Sequence, residues 1–276
     1  MIITVASGKG GTGKTTVAVN MALSSREAVL LDCDVEEPNA HTLLKIGNET
    51  ITSVLVPVPV VDPDLCTLCG KCADFCEFNA LFVGKEEVLV YKEMCHSCGG
   101  CALVCPEGAI SEKDREIGET RAATTDGIKL VYGELNVGEP ISIPLIKAVK
   151  RNIDEQKLNI LDAPPGTSCS LIETVEDSDY VIMVTEPTPF GLHDLEMAID
   201  TVDAVGTPYG VIINRYGIGD EKVEEFLDER GVELLMKIPF DRKIAELYSR
   251  GIPFVNELEE YRSAFVDLID KIKEYI

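Results

Sequence analysis

The 276-residue sequence predicts an α/β fold, a doubly wound and mostly parallel sheet, with a small α+β module inserted into it. Three observations predict this. Short β-branched runs recur along the chain and alternate with helical periodicity. A glycine-rich loop joins the first run to the first helix. A block of cysteines from Cys66 to Cys105 interrupts the alternation. The length suits one good-sized core plus a small extra module. A formal charge of −23 opposes binding to nucleic acid or to an anionic membrane surface, so neither is expected as a partner. No run approaches the roughly 18 apolar residues of a membrane span. The opening MIITVASGKG lacks signal-peptide architecture, and the cysteine spacing suits a reducing compartment, so a cytoplasmic protein is expected.

The first run, Ile2-Ile3-Thr4-Val5-Ala6, reads as a buried parallel strand. It flows into Gly8, Lys9, Gly10, Gly11, Thr12, Gly13, Lys14, Thr15 and Thr16, then into a helical pattern through Val17, Met21 and Ala22. This is G-x-x-x-x-G-K-[ST] between a strand and a helix, the phosphate cradle of ATP-binding loops. Its glycines let successive backbone N–H groups curl around phosphate oxygens, and the helix N-terminus adds partial positive charge. Lys14 is expected to reach the β- and γ-phosphates, and the Thr15 hydroxyl to ligate Mg²⁺. Gly8, Gly10 and Gly13 also match G-x-G-x-x-G, but a dinucleotide site would leave Lys14 and Thr15 without a task.

The second strand, residues 28–31, delivers Asp32-Cys33-Asp34 into a loop. Asp32 alone could satisfy loop amides at a strand end, so its role is a supporting one. A later strand, residues 158–161, ends in Asp162-Ala163-Pro164-Pro165-Gly166. A hydrophobic run closed by aspartate is the Walker B pattern, with Asp162 holding Mg²⁺ through water and the Gly166 N–H available to a γ-phosphate. Many strands end in aspartate; the ordered set of three elements gives the signal its weight. Residues 180–185 and 210–214 read as further strands, and residues 115–138 as a hairpin or two short strands. Pro144 opens a helix. Leu192, Leu195, Ile199 and Val202 form a core-facing stripe on another. In the last helix Phe265, Leu268, Ile269 and Ile272 form a stripe, while Asp267, Asp270 and Glu274 offset Lys271 and Lys273. Docking on the core suits that helix better than lipid.

Eight cysteines fall into two copies of C-x2-C-x2-C-x3-C: Cys66, Cys69, Cys72, Cys76 and Cys95, Cys98, Cys101, Cys105. Each member of the second copy lies 29 residues after its counterpart, and Ala80-Leu81 is echoed by Ala109-Ile110. Zinc sites use C-x2-C pairs separated by longer loops; three close thiolates plus a distant fourth suit a cubane. The cassette resembles two-cluster ferredoxins. That resemblance implies two [4Fe–4S] clusters with the fourth cysteine of each copy serving the opposite one. Cys66, Cys69, Cys72 and Cys105 would hold the first cluster, and Cys95, Cys98, Cys101 and Cys76 the second. Pro106 follows Cys105 as in such proteins, whereas Glu77 follows Cys76, where its carboxylate would favour the oxidised form. Residues 56–63, with alternating prolines, read as a stiff extended connection. Residues 57–114 are accordingly expected as the inserted ferredoxin domain, and residues 1–56 and 115–276 as the ATPase domain.

A second lysine early in the phosphate loop, Lys9, is the deviant Walker A feature, and with the two aspartate-bearing loops the chain resembles the MinD-superfamily P-loop ATPases, the MinD, ParA and nitrogenase iron protein group, in the form that carries an inserted ferredoxin domain. The resemblance spans the whole chain. It implies that Lys9 reaches across a nucleotide-dependent homodimer and that Asp34 orients the attacking water. It further implies that Asn214 bonds adenine, with Pro239, Phe240 and Asp241 lining the base. The implied protein binds and hydrolyses ATP with Mg²⁺, couples dimerisation to electron transfer, and works with a redox or client protein. A redox-sensing assembly or positioning switch and an iron–sulfur carrier are the alternatives. Cys33 reads as a buried filler, and Cys169 as a plain thiol or as part of an intersubunit site.

Overall fold

The structure, a computed structural model, describes residues 1–25 and 27–275. β1 (Ile2–Ala6) runs into the glycine-rich loop and α1 (Lys14–Ser24). β2 (Val29–Asp32) follows, then a 3₁₀ turn over Ala40–Leu43 and the long strand β3 (Thr50–Val61). The cysteine-bearing segment holds α2 (Lys71–Phe75), β4 (Leu81–Val83), β5 (Val88–Val90), a 3₁₀ turn over Lys92–Met94, and α3 (Gly100–Leu103). β6 (Ile110–Thr125) and β7 (Ile128–Leu135) then form a hairpin about Asp126 and Gly127. Both turn residues have positive φ, as a tight hairpin turn requires.

The rest alternates helix and strand: α4 (Ile143–Lys150), β8 (Asn159–Asp162), α5 (Cys169–Val175), β9 (Tyr180–Thr185), α6 (Pro189–Val205), β10 (Tyr209–Tyr216), α7 (Lys222–Arg230), β11 (Leu234–Pro239), α8 (Arg242–Ser249) and α9 (Glu259–Lys273). Among the described residues one nine-stranded sheet has the order β11-β10-β9-β1-β8-β2-β7-β6-β3, and β4 with β5 makes a separate two-stranded sheet. Pairs from β11 through β7 are parallel, while β7 with β6 and β6 with β3 are antiparallel. β2, β8 and β9 are buried at every residue because helices cover both faces. Ile3, Leu30, Ile160 and Ile182 pack on one face with Met21 of α1 and Phe265 of α9. On the other, Leu31, Val131 and Leu161 meet Leu145 and Val149 of α4, and Val181 and Met183 meet Leu195 and Ile199 of α6.

The division expected at residues 57 and 114 falls inside β3 and β6. These pair without interruption from Thr50 opposite Ala122 to Val61 opposite Ile110, apart from one bulge after Val54. What reads in sequence as a stiff connection is therefore an edge strand. Pro57 and Pro59 are tolerated there because an outermost strand has no neighbour needing those N–H groups. Gly118 lies opposite Leu135 at the carboxyl end of β7, so residues 110–117 and their β3 partners run past that edge of the sheet as a two-stranded ribbon. Residues 62–109 sit at its end.

Within that segment the 29-residue repeat is written into the backbone. Positive φ recurs at Leu68 and Ser97, at Gly70 and Gly99, and at Asn79 and Gly108. The echoed pairs Ala80-Leu81 and Ala109-Ile110 are all buried, and Cys72 and Cys101 are buried with them.

Phe265 is fully buried between α9 and the sheet. Phe265→Ala should cost about 3–5 kcal/mol in urea unfolding of the nucleotide-free protein. A cost below about 1 kcal/mol would mean that α9 does not dock as described.

Candidate functional site

β1, β8 and β2 are neighbours, so the loops leaving their carboxyl ends converge. Backbone bonds from Cys33 N–H to the Asp162 carbonyl and from Ala163 N–H to the Val5 carbonyl lock these ends in register. The phosphate loop needs its glycines for two separate reasons. Gly13 has φ 93, and a Cβ there would lie 2.3 Å from Asn214 Nδ2. Gly8 packs so closely on α6 that a Cβ would lie 2.0 Å from the Asp194 carbonyl oxygen.

Lys14 is buried and donates to Asp34 Oδ2 at 3.0 Å, with Asp162 Oδ1 at 3.5 Å. Burial works against its charge, but Asp162, Asp34 and Asp32 together outweigh that and hold the ammonium well above its ordinary pKa. Asp32 has a different task. Its two oxygens accept N–H groups from Asp34 at 3.1 Å and from Asn39 and Ala40 at 3.0 Å each, pinning the loop after β2. Both Asp162 oxygens are buried without a hydrogen-bond partner, as is Thr12 Oγ1. Unpartnered buried carboxylate oxygens carry a large desolvation cost. A hydrated Mg²⁺ between Asp162 and Thr15 fits that donor set.

These groups line one cleft of about 520 Å³. Gly10, Gly11, Gly13, Lys14, Thr15, Thr16 and Asp34 line it, together with Asn214, Pro239, Phe240 and Asp241. Asn214 Nδ2 donates to the Thr12 carbonyl at 2.7 Å, tying the strand end to the phosphate loop. The Gly166 N–H donates to the Ser7 carbonyl at 3.1 Å. Lys9 lies 4.0 Å from Glu186, whose carboxylate also accepts from Arg215 Nη1 at 2.5 Å. Sequence reading missed Glu186, Arg215 and Tyr248, the last of which lines the cleft with Phe240 and Asp241. Arg215 directly follows Asn214 and was legible by position; Tyr248 arrives from a helix with no motif. Cys33 is fully buried, and Cys169 is exposed at the start of α5.

The eight repeat cysteines gather around two cavities. Cys66, Cys69, Cys72 and Cys105 line one; Cys76, Cys95, Cys98 and Cys101 line the other, together with Glu77. Backbone N–H groups point at the sulfurs: Ala80 to Cys76 at 3.4 Å, its repeat partner Ala109 to Cys105 at 3.3 Å, and Ser97 to Cys95 at 3.4 Å. Among the described residues no three His, Cys, Asp or Glu side chains converge on a single-ion position. The donor set, four thiols around a cavity with N–H groups aimed at sulfur, fits a polynuclear iron–sulfur cluster. Among these residues no helix is long and apolar enough to cross a membrane.

A family model for the CobQ/CobB/MinD/ParA nucleotide binding domain matches residues 3–254. Uncharacterized protein MJ0579 of Methanocaldococcus jannaschii is 31% identical over 95% of this chain and 94% of its own length. An iron-sulfur cluster carrier protein of Pyrococcus furiosus is 26% identical, covering 99% of this chain and 86% of its own. Among solved structures, the septum site-determining protein MinD with Mg-ADP from Pyrococcus horikoshii superposes with a TM-score of 0.60 at 20% identity, over 98% of this chain and 95% of that one.

In the nucleotide-free protein, burial and the neighbouring Asp162 push the Asp32 carboxyl up to about 7, against the pull of the Ala40 N–H and Lys14. Between an ordinary aspartate value and about 7 the native state therefore binds more protons than the unfolded chain. The stability this supplies is complete below about pH 4 and is lost as pH rises through about 7. The unfolding free energy of the wild type relative to Asp32→Asn should fall across that window; a flat difference would refute the protonation of Asp32.

Proposed function

The chain belongs to the CobQ/CobB/MinD/ParA nucleotide-binding family and is an ATPase, and from that premise we propose that it is an iron–sulfur ATPase in which nucleotide-driven homodimerisation is coupled to electron transfer with a partner protein. The observation that carries this reading is the grouping of the thiols. Each cavity takes three cysteines of one repeat and the fourth of the other, on a chain whose Lys14 and carboxylates face a cleft sized for a nucleotide. In this reading residues 57–114 form the ferredoxin domain, their cysteines held beyond the ribbon, and residues 1–56 and 115–276 the ATPase.

The roles follow from position. Gly8 to Thr16 wrap the phosphates with backbone N–H groups, and Lys14 exchanges its Asp34 contact for the β- and γ-oxygens. That exchange frees Asp34, now bonded at 3.0 Å, to hold a water in line with the γ-phosphate. Thr15 and, through water, Asp162 would hold Mg²⁺, which would supply charge neutralisation at the transferred phosphoryl group. Gly166 turns its N–H from Ser7 toward the γ-phosphate. Asn214, Pro239, Phe240 and Asp241 surround the base. Lys9, held near Glu186 in the single chain, moves out to the nucleotide of a second copy. Cys66, Cys69, Cys72 and Cys105 hold one [4Fe–4S] cluster and Cys76, Cys95, Cys98 and Cys101 the other, groups that supply one-electron chemistry.

The carrier reading is favoured by the printed name of the Pyrococcus furiosus relative. Against it stand the buried positions of Cys72 and Cys101, which suit clusters that stay. Reduction potentials measured anaerobically without nucleotide, with ADP and with ATP separate the readings. Coupling predicts a nucleotide-dependent potential or electron-transfer rate, absent in Lys14→Ala although its iron content is unchanged. Potentials and rates blind to nucleotide, with iron passing readily to an apo-protein, would replace coupling with carriage.

The crossed ligand sets make a second prediction. Cys105→Ser should impair the same cluster as Cys69→Ser, each losing roughly four iron atoms per chain and the same spectroscopic signal. Cys76→Ser should instead match Cys98→Ser. Pairing of Cys105→Ser with Cys98→Ser would overturn the crossed assignment.

A further inference from the structure

Resting on the coupling just described, we propose that Arg115 and Glu139 form a positioning link that carries the state of the Gly166 loop to the turn holding Cys95. The link begins at a group with two possible partners. In the single chain the Gly166 N–H is bonded to the Ser7 carbonyl. It cannot reach a γ-phosphate without leaving that carbonyl, so residue 166 has two arrangements that nucleotide would select between.

From there the path alternates direct contacts with short stretches of chain. Gly166 lies three residues before α5, whose Ser170 Oγ lies 3.0 Å from Ser142 Oγ. Ser142 is buried at the start of α4, where its carbonyl accepts the N–H groups of Leu145 and Ile146. Glu139 sits just upstream in the same loop, where its N–H donates to Asn136, and the Asn136 N–H donates to Ile117 of β6. Its carboxylate receives both terminal nitrogens of Arg115, the Nη2–Oε2 bond being 3.0 Å. Arg115 Nη2 also donates to the Lys92 carbonyl at 3.3 Å. That carbonyl is the one that accepts the Cys95 N–H, at 3.2 Å. The loop after β2 joins the same segment, since the Leu135 N–H donates to the Val35 carbonyl.

Two features make Arg115 more than a surface ion pair. It is bidentate and its partner's side chain is only 10% exposed, so both charge and geometry are fixed. It also stands in the electrostatic field of Glu93 and Cys95. A cation near a cluster stabilises the reduced, more negative form, so displacing the guanidinium would change that cluster's potential. The link ends on the Cys76, Cys95, Cys98 and Cys101 set. The other set has no such contact on this path and serves as an internal control.

The test uses the full chain with both clusters, held anaerobically with Mg²⁺ and either ADP or a non-hydrolysable ATP analogue. Hydrogen exchange at residues 92–97 and the two reduction potentials are measured on the same samples. In the wild type the analogue should change exchange there by about five-fold or more and shift one potential. Double loss of signal with Cys98→Ser identifies the shifted cluster as the second. Glu139→Gln should abolish both responses with iron content and nucleotide affinity unchanged. Ser142→Ala, which cuts the path away from both sites, should abolish them too, and it decides the matter if Glu139→Gln loses iron. Responses that persist in these variants, or a shift of the first cluster instead, overturn the link while leaving nucleotide coupling intact. Exchange that responds while both potentials stay fixed leaves the link standing and removes the redox reading. Wild-type exchange at residues 92–97 that ignores nucleotide overturns the link directly.

Discussion

A buried ammonium surrounded by an excess of carboxylates governs this molecule. Lys14 cannot stay charged in the interior unless it is paired, and Asp34 and Asp162 provide the pairing, with Asp32 adding to their field. They can do so only because β8 enters the sheet between β1 and β2, bringing three strand ends to one place. The glycines of the loop follow from the same demand, since the backbone must pass close to α6 and to Asn214 to set Lys14 at that point. The arrangement leaves a local excess of negative charge and two buried Asp162 oxygens without a hydrogen bond. Such a centre is incomplete alone. A divalent cation meeting Asp162 would relieve both defects, and the negative charge of a polyphosphate would be met by that cation and by Lys14.

The cysteine segment obeys a different constraint. A 48-residue stretch with so small a core of its own, chiefly Cys72, Ala80, Leu81, Cys101 and Ile110, cannot bury enough apolar surface to be strongly stable by packing. Its order rests on the repeat. Paired positive-φ residues turn the chain so that N–H groups meet sulfur, and the ribbon of β3 and β6 holds its two ends side by side. Clusters bound by those thiols would supply the cohesion that the small core lacks.

Much of this was legible in the sequence because the signals were chemical rather than conformational. G-x-x-x-x-G-K-[ST] admits few arrangements, and the eight cysteines at a fixed offset fall around two cavities in the crossed grouping that the ferredoxin resemblance implies. The strands carrying Asp32 and Asp162 read correctly because parallel buried strands are continuously apolar. Where the sequence misled, the cause was physical. Residues 56–63 hold prolines and resemble a linker, yet an edge strand tolerates prolines, so composition could not separate the two. Glu186 and Tyr248 were invisible because each reaches the site from an element whose sequence neighbours have other tasks. Arg115 and Glu139 lie 24 residues apart with no motif between them, and only the fold makes them a pair.

The position of the ribbon decides how a cysteine module can respond to a nucleotide at all. A hydrogen-bonded sheet is stiff across its strands, and β3 is separated from β2 by β7 and β6. A signal crossing that ladder strand by strand would have to break many bonds. The strand ends are free of this restriction. β6 is antiparallel to β7, so it enters the sheet at the carboxyl edge, where the phosphate loop and the loops after β2 and β8 also lie. The end of β7 and the loop after it touch the loop after β2, α5 and the ribbon: Val35 through Leu135, Ser170 through Ser142, and the ribbon through Asn136 and Glu139. An insertion at the opposite edge would share the chain but none of these contacts. The antiparallel return of β6 is thus what brings the cysteine-bearing segment to the same edge of the sheet as the phosphate loop.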